Sequence, residues 1–185
     1  MRRLRLLAAI AAALTIIAVP AAQAISLSDL IVSGSAGSGS STSYLVVDFG
    51  PDSYAFVYYY DGTKTGFDML QDLAAAVPGL QFTYADYGGG AVFVNTFAYG
   101  PYPATGGGTT WWSYWLSDNG SDWSFAPVGA GGRVLADGSW DGWSFVPSFT
   151  APATAPDVPL VPEPASLTLL GTLCAGGIAA FRRRG

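Results

Sequence analysis

An α+β domain, with a small mostly antiparallel or mixed sheet and one packed helix, is the fold this sequence predicts. Three observations lead there. Short runs of β-branched and aromatic residues recur between Gly, Pro and Asp-Gly turn signals. One segment, 65–77, carries helical apolar spacing behind a capping residue. The stretch holding both, 44–149, has the length of one small core and lies between two low-complexity segments.

In chain order, residues 1–24 read as a secretory signal peptide. Arg2, Arg3 and Arg5 are its basic region and 6–19 its apolar region. Ala22-Gln23-Ala24 is a small-x-small site, with cleavage after Ala24. An uncleaved membrane anchor is the alternative, although the apolar stretch is short for one. Residues 25–43 are expected to be a flexible spacer, since 33–43 contain only Ser, Gly, Ala and Thr.

The ectodomain opens with two β-rich runs, 44–49 and 54–60, separated by Gly50-Pro51 and read as a hairpin. The helix follows. Thr65 can cap it, with Asp68 as the partner of a capping box. Phe67, Leu70, Leu73, Ala74 and Val77 share one face, and Pro78-Gly79 ends it. Residues 80–84 and 91–97 suggest a second hairpin, and 100–108 a Gly/Pro-rich loop. Further strands are expected at 111–116, 123–126, 133–135 and 143–146. Residues 150–160, rich in Pro, Ala and Thr, should form an extended stalk.

Charge narrows the function classes. Between Ile25 and Pro164, Lys64 and Arg133 alone oppose thirteen acidic residues, a net charge of −11. Such a surface repels phosphate backbones, so no nucleic-acid partner is expected. It tolerates cations or neutral, hydroxyl-rich ligands. The chain has no histidine, and its one cysteine, Cys174, lies in the C-terminal apolar run. Zinc held by His or Cys is excluded, and no cofactor or metal is expected. Asp118-Asn119-Gly120-Ser121-Asp122 reads as a hairpin turn, with calcium as the alternative, because an EF-hand would need a glutamate downstream.

Catalysis has few residue types to draw on, and no enzymatic activity is expected. Asp137 and Asp141 are the carboxylate pair that an Asp-dependent hydrolase would use, the second alternative. Alternation in the strand from Trp111 places Trp111, Ser113 and Trp115 on one face, and Trp112 and Tyr114 on the other. Core packing accounts for most of these aromatics. An exposed platform of Trp112 and Tyr114, suited to stacking on sugar rings, is the other reading.

Two resemblances add to this. Val161-Pro162-Glu163-Pro164 is followed by an apolar run to Phe181 and then by Arg182, Arg183 and Arg184. This cassette, 161–185, resembles the PEP-CTERM sorting signal of Gram-negative bacteria. The resemblance implies a transmembrane helix at about 165–181 and processing by an exosortase, after signal peptidase has acted. It implies a membrane-held intermediate in the inner membrane, then residence at the cell surface or in the extracellular matrix, with exopolysaccharide as a candidate partner. A plain membrane anchor is the alternative. The second resemblance rests on Trp111-Trp112-Ser113-Tyr114-Trp115, Trp123-Ser124-Phe125 and Gly138-Ser139-Trp140-Asp141-Gly142-Trp143-Ser144-Phe145. These are similar to the β-grasp-type domain related to the C-terminal domain of transcobalamin, which implies a ligand-binding or adhesive module. The expected function is therefore an exported, non-enzymatic surface or matrix protein, and the first alternative is a small-ligand or carbohydrate-binding module.

Overall fold

The computed structural model describes residues 24–162. Ala22, Glu163, Pro164, the apolar run and Arg182–Arg184 lie outside them, as do most of the signal peptide and the expected transmembrane helix. Among the described residues no helix is long and apolar enough to cross a membrane.

The fold is sheet-rich α+β with one α-helix among the described residues. The strands are β1 (Val32–Gly37), β2 (Ser41–Asp48), β3 (Ser53–Tyr60), β4 (Gln81–Asp86), β5 (Val92–Tyr99), β6 (Tyr102–Thr105), β7 (Trp111–Ser117), β8 (Ser124–Phe125) and β9 (Trp140–Val146), with helix α1 (Gly66–Ala76) after β3. Six strands form a mixed sheet in the order β1-β3-β2-β9-β7-β8, and β4-β5-β6 form a second, smaller sheet. The last strand, β9, lies parallel to β2 and antiparallel to β7. It closes the sheet at its centre, which explains why it is almost wholly buried.

The expected β2–β3 hairpin forms, with Tyr44 opposite Val57 and Asp48 opposite Ser53. The helix starts as its sequence requires. Thr65 Oγ1 accepts the Asp68 N–H at 3.1 Å, and Asp68 Oδ2 accepts the Thr65 N–H at 2.8 Å. Met69, Leu70 and Leu73 are its buried face, while Phe67 packs half-buried against Phe82 and Tyr84.

Four stretches differ from expectation. Residues 33–43 are not a spacer: they supply β1, parallel to β3, and the start of β2. The small residues serve close packing here. A Cβ on Gly34 would lie 2.8 Å from Val77 Cγ1, so only glycine lets the end of α1 lie against β1. Within 100–108, β6 pairs with β5 across the Gly100-Pro101 turn, where Gly100 has φ +56°. Residues 133–135 form no strand, only a bridge from Val134 to Thr65, with the Gly66 N–H on Arg133 O at 2.9 Å and the Leu135 N–H on Lys64 O at 2.8 Å. Residues 150–160 do not stand away as a stalk. Pro156 is buried over Gly142, at whose position a Cβ would meet it at 2.5 Å.

The six-stranded sheet is thus covered on both faces. On one, Leu45, Val47, Phe56, Tyr58, Trp112, Tyr114 and Trp143 pack under α1 and the small sheet. On the other, Val46, Ala55 and Trp140 pack under Leu30, Ile25, Trp123 and Val158. The two ends of the domain meet there: the Ile31 N–H donates to Pro159 O at 2.9 Å and the Val161 N–H to Asp29 O at 2.8 Å.

Candidate functional site

Two places concentrate polar or aromatic groups in a way that packing alone does not require. The first is enclosed. Asp141, on β9, points beneath the first turn of α1 and is 1% exposed. Its Oδ2 accepts the hydroxyl of Tyr114 from the neighbouring strand β7, and its Oδ1 faces Arg133 Nε at 3.3 Å. Gly66 completes the enclosure, since a Cβ there would sit 2.5 Å from Asp141 Oδ2 and 2.8 Å from the Tyr114 hydroxyl. Burial pushes the Asp141 carboxyl above the ordinary carboxylate value, against the lowering effect of Tyr114 and Arg133. Burial, and then the Asp141 charge, hold the Tyr114 phenol far above its usual value. Arg133 Nη2 is buried without a partner among the described residues.

Asp137 takes no part in that cluster. It is exposed at the turn before β9, and its Oδ1 accepts the Thr42 N–H at 2.8 Å, tying the turn to β2. The hydrolase pair is therefore split between a surface turn and an enclosed core, and the two carboxylates share no cleft. The Asp118–Asp122 segment closes on itself. Asn119 Oδ1 accepts the N–H groups of Ser121 and Asp122 at 2.9 and 2.8 Å, and the Asn119 amide donates to Asp122 Oδ2 at 2.8 Å. This is the expected turn. No group of three or more acidic or Cys/His side chains arranged for a metal exists among the described residues.

Trp112 and Tyr114 do not form the expected exposed platform. Both are core, 5% and 6% exposed. Trp112 packs edge-on to Phe97 at 4.9 Å, and Tyr114 stacks on Trp143 at 4.3 Å. The alternation itself holds, but α1 and the second sheet cover the face that carries these two rings. Trp111 and Trp115, on the opposite face, are the partly exposed pair and lie beside Phe125.

The second place is open. A groove of about 420 Å³ runs between β5 and the start of β7, lined by Tyr87, Phe93, Asn95, Gly106, Trp111 and their neighbours. Tyr87 is 75% and Phe93 54% exposed, and their rings meet edge to face at 5.8 Å. Asn95 sits at a bulge, because Thr83 pairs with Thr96 and Tyr84 with Val94, leaving Asn95 without an opposite residue. Its backbone oxygen accepts the Gly106 N–H at 2.6 Å, and a Cβ on Gly106 would collide with that oxygen. The groove continues past Phe93 along Ala126, Val128 and Gly129.

No family model, curated protein or solved structure matches this chain. Of the expected sorting residues, Val161 and Pro162 are described and exposed, and Ala24 is an exposed residue at the other end. The sequence alone does not single out the groove residues. Their one signal is the alternation in 92–95, where Val92 and Val94 face inward while Phe93 and Asn95 face out.

Proposed function

We propose that this chain is an exported, non-catalytic cell-surface or extracellular-matrix protein, delivered by its C-terminal cassette and processed by an exosortase. The observation that carries the reading is the order of parts: a basic and then apolar N-terminal stretch ending in Ala22-Gln23-Ala24, one folded domain, and then Pro162-Glu163-Pro164 with an apolar run and three arginines. The fold is consistent with both processing events. Ile25, the residue after the expected cleavage, donates its N–H to Asn119 O at 2.9 Å and packs beside the Trp140 cluster. At the other end Val161, whose N–H donates to Asp29 O at 2.8 Å, makes the last backbone tie among the described residues. Cutting at either point leaves every strand among the described residues in place.

The strand order is compatible with the β-grasp resemblance. A hairpin (β2–β3) leads into α1, and the final strand β9 inserts parallel to β2 at the sheet centre, with the helix held on one face. Resemblance to the transcobalamin-related domain then makes the ectodomain a binding or adhesive module. The enclosed Tyr114–Asp141–Arg133 cluster fits a role in holding α1 on the sheet.

Mass spectrometry of the protein recovered from the envelope and medium tests delivery. The expected mature form begins at Ile25 and ends near Glu163. A released form that still contains the peptide through Arg184 overturns processing.

A further inference from the structure

We infer that the groove between β5 and β7 binds a neutral saccharide chain, with Phe93, Tyr87 and Trp111 as stacking surfaces and the Asn95 amide as the polar anchor. This goes beyond delivery, and the groove binds or fails to bind irrespective of how the chain is sorted.

Four observations converge. The volume, about 420 Å³, lies in the range of about 300–1,000 Å³ usual for ligand clefts. Two large rings are held out into solvent at its wall, Tyr87 and Phe93, at a cost in exposed apolar area that packing does not repay. The Asn95 side chain is exposed and makes no hydrogen bond among the described residues, although its backbone is fixed by the bulge and by Gly106. An amide so placed offers a donor and an acceptor together, which matches two adjacent hydroxyls. Finally, the groove and its continuation along Val128 have no charged lining residue, in a domain of net charge −11.

That last point selects the ligand class. Flat rings also stack nucleic-acid bases, but such sites need a positive track for phosphates, and none is present. An anionic polysaccharide would meet the long-range repulsion of the domain without any compensating cation. A neutral pyranose meets neither penalty: its apolar face lies on an aromatic ring and its hydroxyls reach the amide. Phe93 borders both the main groove and the continuation, so the site is elongated and fits several linked sugars better than one.

The test is titration of the purified full chain with cello-, manno-, xylo- and laminari-hexaose, followed by tryptophan fluorescence and calorimetry. Polygalacturonate and a decaproline peptide run alongside. Binding to at least one neutral hexaose is expected, with little or none to polygalacturonate. Phe93→Ala and Asn95→Ala should each weaken it at least tenfold while the melting temperature stays within a degree or two of the parent. Failure of all four hexaoses, equal binding by both variants, or binding of decaproline alone overturns the inference.

Discussion

The Tyr114 hydroxyl donates to the carboxylate of Asp141 beneath the first turn of α1, joining β7 to β9 where the helix begins. Arg133 approaches the other carboxylate oxygen at 3.3 Å and is itself only partly exposed. Removing the carboxylate leaves a largely buried guanidinium unpaired and a buried phenol without its acceptor. Truncating one partner of a buried pair costs about 3–5 kcal/mol. Asp141→Ala should therefore lower the urea midpoint by that free energy, whereas Tyr114→Phe, which removes one hydrogen bond and keeps the ring stack on Trp143, should cost about 1–2 kcal/mol. Equal effects from the two variants would show that the carboxylate matters only through Tyr114.

Acid should stabilise this domain. Burial raises the folded-state carboxyl values of Asp141 and Asp48 above the ordinary 3.8. Between that value and the raised one, the native state binds more protons than the unfolded chain, so stability falls as pH climbs through the window. Its full contribution is present below the unfolded value and is lost above the folded one. Relief of repulsion among thirteen acidic residues acts in the same direction. Asp29 and Asp61, held low by hydrogen bonds from Ser26 and Ser40, oppose this only below 3.8. Thermal melts should give a higher midpoint at pH 4.5 than at pH 7.5; the reverse order would contradict the burial argument.

Trp112 separates a structural role from a binding one. It contacts Phe49, Phe97 and Phe145 and is 5% exposed. Trp112→Ala should cost about 3–5 kcal/mol, the usual result of emptying a packed aromatic site. Trp115→Ala, on the partly exposed face, should cost clearly less. Chemical denaturation of both variants checks the order.

The parts of the fold that were legible in the sequence are those with local causes. Thr65 and Asp68 announce the helix because a capping box is a contact between near neighbours. Gly50-Pro51 separates β2 from β3 for a similar reason. What stayed hidden depends on contacts distant in sequence. A Gly/Ser run can be a linker or a strand pressed under a helix, and only the proximity of Val77 to Gly34 decides it. Alternation in Trp111–Trp115 fixes which residues share a face, but not which face α1 and the second sheet cover. In the groove, Asn95 is set apart by a bulge against Thr83 and Tyr84, a register feature without a signature in the strand itself.

One side chain helps to hold the segment 150–162 on the sheet. Asp48, at the end of β2, accepts the Gly50 N–H at 2.7 Å and the Asp157 N–H at 3.0 Å, across 109 residues of chain. Pro-rich backbone makes few hydrogen bonds of its own, so this contact and those at Pro159 and Val161 carry much of the docking. Asp48→Ala deprives both N–H groups of their acceptor, at about 1–3 kcal/mol. The loss should be local as well as global, because Pro156 then covers Gly142 with one anchor fewer. Hydrogen exchange should show the Asp157 and Val161 amides exchanging faster in Asp48→Ala, while the Leu45 and Val47 amides in β2 keep most of their protection. Limited proteolysis should cut first within 150–162. Uniform acceleration across β2 and β9 would instead mean that Asp48 supports the whole sheet and not the docking of its C-terminal cover.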